Sequence, residues 1–242
     1  MLDQKSITRS SYWAILLFVS CTLPYTIYFF GEEIVNAAGV EDGVFEYLTA
    51  LFFLLASIFS LRAFFLKKNI WLLLLALVLF AGFGEEVSWG QRIFAFKTPE
   101  FFLKKNVQQE FTIHNLEVFN AHDFDHNKKS GFKKLITVDF LYKLFCICFG
   151  AVMPVVALLS RRLNTVLVQF KLPIPSVWIG SFFLYNWLTF KLIKSFFLPE
   201  GYSAQYYDTV GEISEFNSAL IFFVISINFF MDSTKKKSLK KS

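Results

Sequence analysis

Charge is scarce in this chain. Asp, Glu, Lys and Arg together make up 18% of its 242 residues, against roughly 25% in an average soluble domain. Histidine and cysteine are scarcer, with three of each. The cysteines, Cys21, Cys146 and Cys148, all lie in apolar runs. That placement reads them as small core residues and excludes a disulfide framework or a zinc-binding thiol motif. No phosphate-binding glycine loop, Gly-x-Ser-x-Gly elbow or Cys/His nucleophile pair occurs. What fills the chain instead is hydrocarbon: 55% of residues are hydrophobic, 33 are Phe, and the mean hydropathy is +0.49. So much apolar surface cannot fit inside one soluble core of this size. A soluble enzyme, a disordered tail and a disulfide scaffold are excluded, and the chain reads as an integral membrane protein.

A helix needs about 20 mostly apolar residues to cross a bilayer. Six segments meet or approach that length: 12–30, 45–66, 70–94, 135–160, 172–198 and 212–231. The expected fold is an all-α bundle of about six spans in a single domain over residues 1–242. A long polar, partly helical outer-face segment, 95–134, lies between the third and fourth spans, and a lysine-rich tail covers 232–242. Lys5 and Arg9 before the first apolar run, with Val35-Asn36-Ala37 after it, resemble a signal peptide, but the run is longer than a usual signal core and reads as a retained helix, kinked at Pro24.

Lys and Arg in the connections set the orientation. With the N-terminus cytoplasmic, thirteen basic residues fall inside: Lys5, Arg9, Arg62, Lys67, Lys68, Arg161, Arg162, Lys171 and the five tail lysines. Only two acids, Asp3 and Asp232, accompany them. The net charge of +5 then faces the anionic inner leaflet of a plasma membrane, and no nucleic-acid partner is needed to explain it. Both termini are expected in the cytoplasm.

Carboxylates gather at the other end. Glu85 and Glu86 end the third span, Glu212 and Glu215 open the last, Asp139 and Lys143 lie in the outer turns of the fourth, and Glu41, Asp42 and Glu46 open the second. A carboxylate at membrane depth costs a few kcal/mol unless paired, solvated or metal-bound. Ordinary capping accounts for Asp42; the clusters on three helices predict a shared polar pocket at the outer face, the alternative being separate solvated helix ends. In Gly84-Glu85-Glu86-Val87-Ser88-Trp89-Gly90-Gln91-Arg92, a continuing helix would set Glu85, Ser88 or Trp89, and Arg92 on one face. Glu85 would pair with Arg92, and Glu86 would point about 100° away. An interfacial belt of Trp and Arg is the plainer alternative.

In the long segment, Asn106-Val107-Gln108-Gln109-Glu110-Phe111-Thr112-Ile113-His114-Asn115-Leu116 places Glu110 and His114 at i, i+4. If helical, that spacing suits one metal ion or an acid–base pair, and the interleaved Phe, Leu, Val and Ile suggest a helix lying in the interface. His122 and His126 repeat the spacing around Asp123 and Asp125. Lys128 and Lys134 stand where a calcium loop needs Gly and Glu, so 122–134 reads as a solvated loop.

The run Gly84-Glu85-Glu86-x-Ser88-Trp89-Gly90-Gln91-Arg92, followed by Asn106-x-x-Gln109-Glu110-x-x-x-His114-Asn115-Leu116, resembles a signature of uncharacterised bacterial multi-pass membrane proteins. It implies no mechanism. A looser architectural resemblance is to membrane hydrolases of the alkaline-ceramidase type, which hold zinc with three histidines, an aspartate and a serine; here the histidines lie outside the spans.

Two functional classes follow. The first is a membrane enzyme acting on a lipid-linked or amphiphilic substrate, with a divalent metal as the cofactor to test. Glu86, Glu110, His114 and Glu215 would be its acid–base groups, and Glu86, Glu110 and His114 the metal candidates. Glu46, Glu85, Trp89, Gln91, Arg92, Asn106, Gln109, Asn115 and Glu212 would contact substrate. The second is a proton- or cation-coupled carrier, which the apolar inner halves of the spans disfavour. An accessory protein whose polar cluster only locks helices together is the remaining alternative.

Overall fold

The computed structural model describes residues 4–40, 43–125, 127–198 and 201–238. Glu41, Asp42 and His126 lie outside them, and with them the Asp42 cap and the His122/His126 pair. The described chain is helical, with only isolated bridges at Asn106–Leu116 and His122–Lys128. In chain order the helices are α1 (Gln4–Thr22), α2 (Glu32–Ala38), α3 (Val44–Lys67), α4 (Ile70–Glu86), α5 (Gln91–Phe94), α6 (Glu100–Lys105), α7 (Phe132–Leu135), α8 (Val138–Cys146), α9 (Met153–Leu159), α10 (Arg161–Gln169), α11 (Val177–Leu192) and α12 (Ala204–Ser238).

Among the described residues, four helical segments are long and apolar enough to cross a membrane: Tyr12–Phe29, Val44–Lys67, Val138–Leu159 and Ala204–Lys235. A fifth exists if α4 and the turn after it, bent by 65°, form one span. Six were expected. The segment that falls short is α11, 16 residues long, which at 1.5 Å per residue reaches about 24 Å against the ~30 Å of a hydrocarbon core. It continues as a π-turn over Ile193–Phe197. At Pro24 the first span tightens into a 3-10 helix, Leu23–Phe29, where a kink was expected. α12 runs on past the last apolar run into the lysine-rich tail, as far as Ser238.

α12 is the axis. Ile213, Ala219, Ile221, Phe222, Val224 and Ile225 are all nearly inaccessible; α3 packs along α12, and α4 packs along α3. Outward faces carry large exposed apolar side chains, among them Leu77, Val78, Leu159 and Trp178, the pattern of a lipid-facing surface. α3 and α4 form an antiparallel hairpin, closed by Lys68 in the left-handed region and by Asn69, whose side chain accepts from the Trp71 amide. That hairpin turn meets the α10–α11 turn through Asn69 to the Lys171 carbonyl and Trp71 to the Phe170 carbonyl, both 2.7 Å. One end of the bundle therefore holds Arg62, Lys67, Lys68, Arg161, Arg162 and Lys171. The other receives the end of α4 and the starts of α3, α8 and α12.

Small residues bring α11 against the π-turn Ile147–Val152 that follows α8. A Cβ on Gly180 would stand 1.8 Å from the Gly150 carbonyl oxygen, so the backbones touch. Buried polar groups tie the same region together. Asn186 donates to the Ser214 carbonyl at 2.7 Å and to Ser218 Oγ at 3.1 Å, and its Oδ1 accepts from Asn217 at 3.1 Å. Asn217 also donates to the Cys21 carbonyl at 3.0 Å. Intramembrane bonds of this kind contribute about 0.6 kcal/mol each.

Candidate functional site

The helix expected to continue through 84–92 breaks. α4 stops at Glu86, and Ser88 and Trp89 take φ of 46° and 50°, left-handed values that cost a β-carbon-bearing residue about 1–3 kcal/mol each. The Trp89 ring folds back over Gly84, where a Cβ would stand 2.8 Å from it. Gly84 is therefore required by the turn. The bend re-aims Arg92, so the expected Glu85–Arg92 pair does not form. Arg92 instead reaches Glu46 at the start of α3 and Glu110 in the long segment, each at 2.7 Å and each partly buried.

Glu85 has other partners. Its Oε2 accepts from the backbone amides of Ile113 (2.7 Å) and His114 (2.8 Å) and meets His114 Nδ1 at 2.9 Å. Its Oε1 accepts from the Trp89 indole. One carboxylate thereby pins the loop onto the end of α4.

The loop is not the expected interfacial helix. Only α6 is helical before Asn106, and Glu110 and His114 share no helix face. Asn106 is fully buried and organises the turn: its amide donates to the Thr112 carbonyl (2.8 Å) and hydroxyl (3.0 Å), and its Oδ1 accepts from the amides of Gln108 (2.8 Å) and Glu110 (3.3 Å). Gln91 joins Thr98 (2.6 Å) to the Phe111 amide (2.7 Å), and Asn115 bonds Gln108 and Asn120. Gln109 turns with φ 59° on the exposed side. These side chains are engaged in loop structure. Further along, Asp123 Oδ1 accepts from the amides of Asp125 (3.0 Å) and Asn127 (2.8 Å). Those amides hold the Asp123 carboxyl below the usual range, as expected of a loop that caps itself.

Glu86 diverges from Glu85, as its position one residue on requires. Among the described residues neither Glu86 nor Glu215 makes a hydrogen bond or ion pair within the protein. Glu86 lies within electrostatic reach of Glu215, Glu212, Glu46 and Glu85, and Glu215 within reach of His114, Asp139, Lys143 and Glu46. Both line a half-open cleft of about 400 Å³ with Glu85, His114, Asn115 and Asp139. The cleft lies between α4 and α8 under the loop roof. Below it, on the next turns of α8, an apolar groove of about 260 Å³ runs on between Val78, Leu75, Leu74 and Trp71 of α4 and Phe145, Phe149 and Met153; both include Val78.

One lining residue, Tyr142, carried no strong signal in the sequence, whereas Asp139 belonged to the expected outer cluster. Asp139 shares a helix face with Tyr142, whose buried hydroxyl makes no hydrogen bond among the described residues. The i, i+3 spacing was the available clue. The floor is aromatic: Phe222 contacts the rings of Phe183 (4.8 Å between centroids), Phe145 (5.7 Å), Phe149 (6.2 Å), Phe53 (6.3 Å) and Tyr142 (6.5 Å). Among the described residues no three of the His, Cys, Asp and Glu side chains are arranged to hold a metal ion. Of the three metal candidates, Glu110 is held by Arg92 and His114 by Glu85, apart from Glu86. No family model matches the chain, and no curated protein or solved structure is similar to it.

Proposed function

We propose that this protein is a membrane-embedded enzyme that performs acid–base chemistry on the head of an amphiphilic, lipid-like substrate. The observation that carries this reading is the seam between α4 and α8. An acid-lined cleft and an apolar groove lie one beyond the other along these helices and share Val78 in their linings. From Glu86 to Trp71 the seam follows α4 for about 22 Å at 1.5 Å per residue, a shape complementary to a polar head with one hydrocarbon tail. Glu86 and Glu215, without hydrogen-bond or ion-pair partners among the described residues, would exchange protons with the head group. His114, donating from Nδ1 to Glu85, would keep its Nε2 lone pair for a proton. Arg92, held between Glu46 and Glu110, supports the loop that roofs the cleft. The aromatic layer around Phe222 favours this reading over a carrier, because a transport path would need polar groups through that level.

In this reading α11 with its π-turn and the bent α4–α5 pair complete six spans. The basic end lies at the cytoplasmic face of a plasma membrane with both termini, and the cleft opens to the outer leaflet, following the basic-residue bias. The test uses purified protein in nanodiscs made from a total lipid extract, followed by mass spectrometry. Wild type should convert one lipid class into a product, and Glu86→Gln should leave that class unchanged. Absence of any conversion, together with no lipid retained through purification, would overturn the proposal.

A further inference from the structure

A second cleft reaches the same carboxylate from the other side of α8. It has a volume of about 200 Å³ and is lined by Asp139, Tyr142 and Lys143 of α8, Asn186 and Lys194 of the α11 segment, and Ser214, Glu215 and Ser218 of α12, among others. The two clefts share three residues, Asp139, Tyr142 and Glu215. Their characters differ. The first adjoins hydrocarbon-lined space. The second has two ammonium groups at its mouth, Lys143 and Lys194, both within 6 Å of the Phe190 ring centroid, and Asp208 on its wall. Glu215 is accessible within this space although helices surround it.

We infer that the second cleft is a water chamber, that water is the second reactant, and that the reaction is hydrolysis. This rests on the reading of the first cleft as the lipid site. Size favours a small co-reactant: ligand pockets for drug-sized molecules begin near 300 Å³, whereas this cleft, open on one side, has about 200 Å³, room for roughly six waters at ~30 Å³ each. Polar partners are present for such waters. Among the described residues the Tyr142 hydroxyl, with Ser218 and Cys146 near it, makes no hydrogen bond of good geometry, the Glu215 carboxylate makes none, and Ser214 and Ser218 line the same cleft. A buried polar group in a roomy polar cavity is satisfied by ordered water.

A water between Tyr142 and Glu215 stands at the junction of the two clefts. Glu215 takes one of its protons while the water oxygen forms a bond to the electrophilic carbon or phosphorus of the lipid head. The bond from that atom to the leaving oxygen breaks with its electron pair, and Glu215 returns the proton to that oxygen. One water is consumed, two hydroxyl-bearing products form, and the carboxylate is regenerated. Tyr142 positions the water.

Two measurements on the full chain in nanodiscs test this. In a Cys21→Ala, Cys146→Ala, Cys148→Ala background, Ser218→Cys should react with the charged reagent aminoethyl methanethiosulfonate at least about tenfold faster than Leu74→Cys in the apolar groove, since the thiolate needs water to form. Equal or slower labelling of a Ser218→Cys protein that melts like its parent would overturn the chamber. With a total lipid extract in ¹⁸O-water, wild type should give a product carrying one ¹⁸O, and Glu215→Gln should give none. A lipid product without ¹⁸O overturns hydrolysis while leaving the lipid-enzyme reading intact. No lipid conversion at all counts against that earlier reading and against the hydrolysis built on it, and the labelling comparison then still decides whether the chamber holds water.

Discussion

At the residue scale, adjacent glutamates have opposite duties. Glu85 accepts from four donors, so Glu85→Gln, which puts a donor in place of one acceptor oxygen, should lower stability by about 1–3 kcal/mol. Glu86→Gln breaks no internal bond and should melt at or above the parent temperature while abolishing lipid conversion. Thermal unfolding in detergent beside the lipid assay checks both, and a destabilised Glu86→Gln would mean that Glu86 is structural. Tyr142→Phe extends the argument. Deleting a buried hydroxyl that makes no hydrogen bond to the described residues should change stability by no more than about 1 kcal/mol, whereas loss of the water it positions should slow turnover at least tenfold, about 1.4 kcal/mol in the barrier. The divergence of the two glutamates was legible from helical geometry, since neighbours on a helix point about 100° apart. The partner of Glu85 was not: i, i+7 spacing suggested Arg92, but that inference assumed an unbroken helix. Tyr142 was illegible because a tyrosine in an aromatic-rich span looks like packing until its hydroxyl is found beside a carboxylate.

At the element scale the same break explains most differences between sequence and structure. Nothing in the apolar period of 70–94 marks Val87 as a stop, and Ser88 and Trp89 are poor left-handed residues. Tertiary contacts hold the turn: the Trp89 ring on Gly84, its indole on Glu85, and Arg92 between two carboxylates. Within the partly helical long segment, the stretch 106–116 is loop where a helix was expected, for a related reason. Its polar side chains are consumed by loop amides, which only the three-dimensional turn around Asn106 brings within reach. α11 against the π-turn supplies a stability test. Gly180→Ala forces a Cβ into the Gly150 carbonyl, and with rigid backbone on both sides it should cost at least about 3 kcal/mol, the upper end of ordinary overpacking; a thermal shift in detergent reads it. A pH test applies where α2 meets the chain before α12. Glu32 accepts from the Ser203 amide at 3.1 Å, which holds its carboxyl below the ordinary range. A depressed folded value means that the tie is complete above the unfolded value and is lost as pH falls through the folded one. Hydrogen exchange at the Ser203 amide should therefore show more protection at pH 7 than at pH 3, after correction for the intrinsic rate. Equal protection at both would remove this tie as a pH-sensitive link.

At the scale of the whole molecule, charge divides by end, and this was the most legible feature of the sequence because hydropathy and basic-residue counting do not depend on tertiary detail. The bundle places Arg62, Lys67, Lys68, Arg161, Arg162 and Lys171 at one end, joined by the Asn69 and Trp71 bonds, and gathers Glu46, Glu85, Glu86, Glu110, Glu212 and Glu215 at the other. The number of spans was less legible, since α11 reaches a membrane's thickness only with its π-turn and the turn after α4 bends by 65°. The proposed orientation rests on this charge division. Moving the basic end across an energised membrane would place at least six cations on the disfavoured side, at a cost of about 1 kcal/mol each in lost contact with anionic headgroups. Fusions near His122, in the loop that roofs the cleft, should therefore be active with a reporter that works only outside the cell, and fusions after Ser242 should be silent. Replacing Arg161, Arg162, Lys67 and Lys68 together by Gln should blur that contrast, because the bias would then rest on fewer charges. An inverted pattern in the parent chain would put the cleft in the cytoplasm, where its lipid would have to come from the inner leaflet.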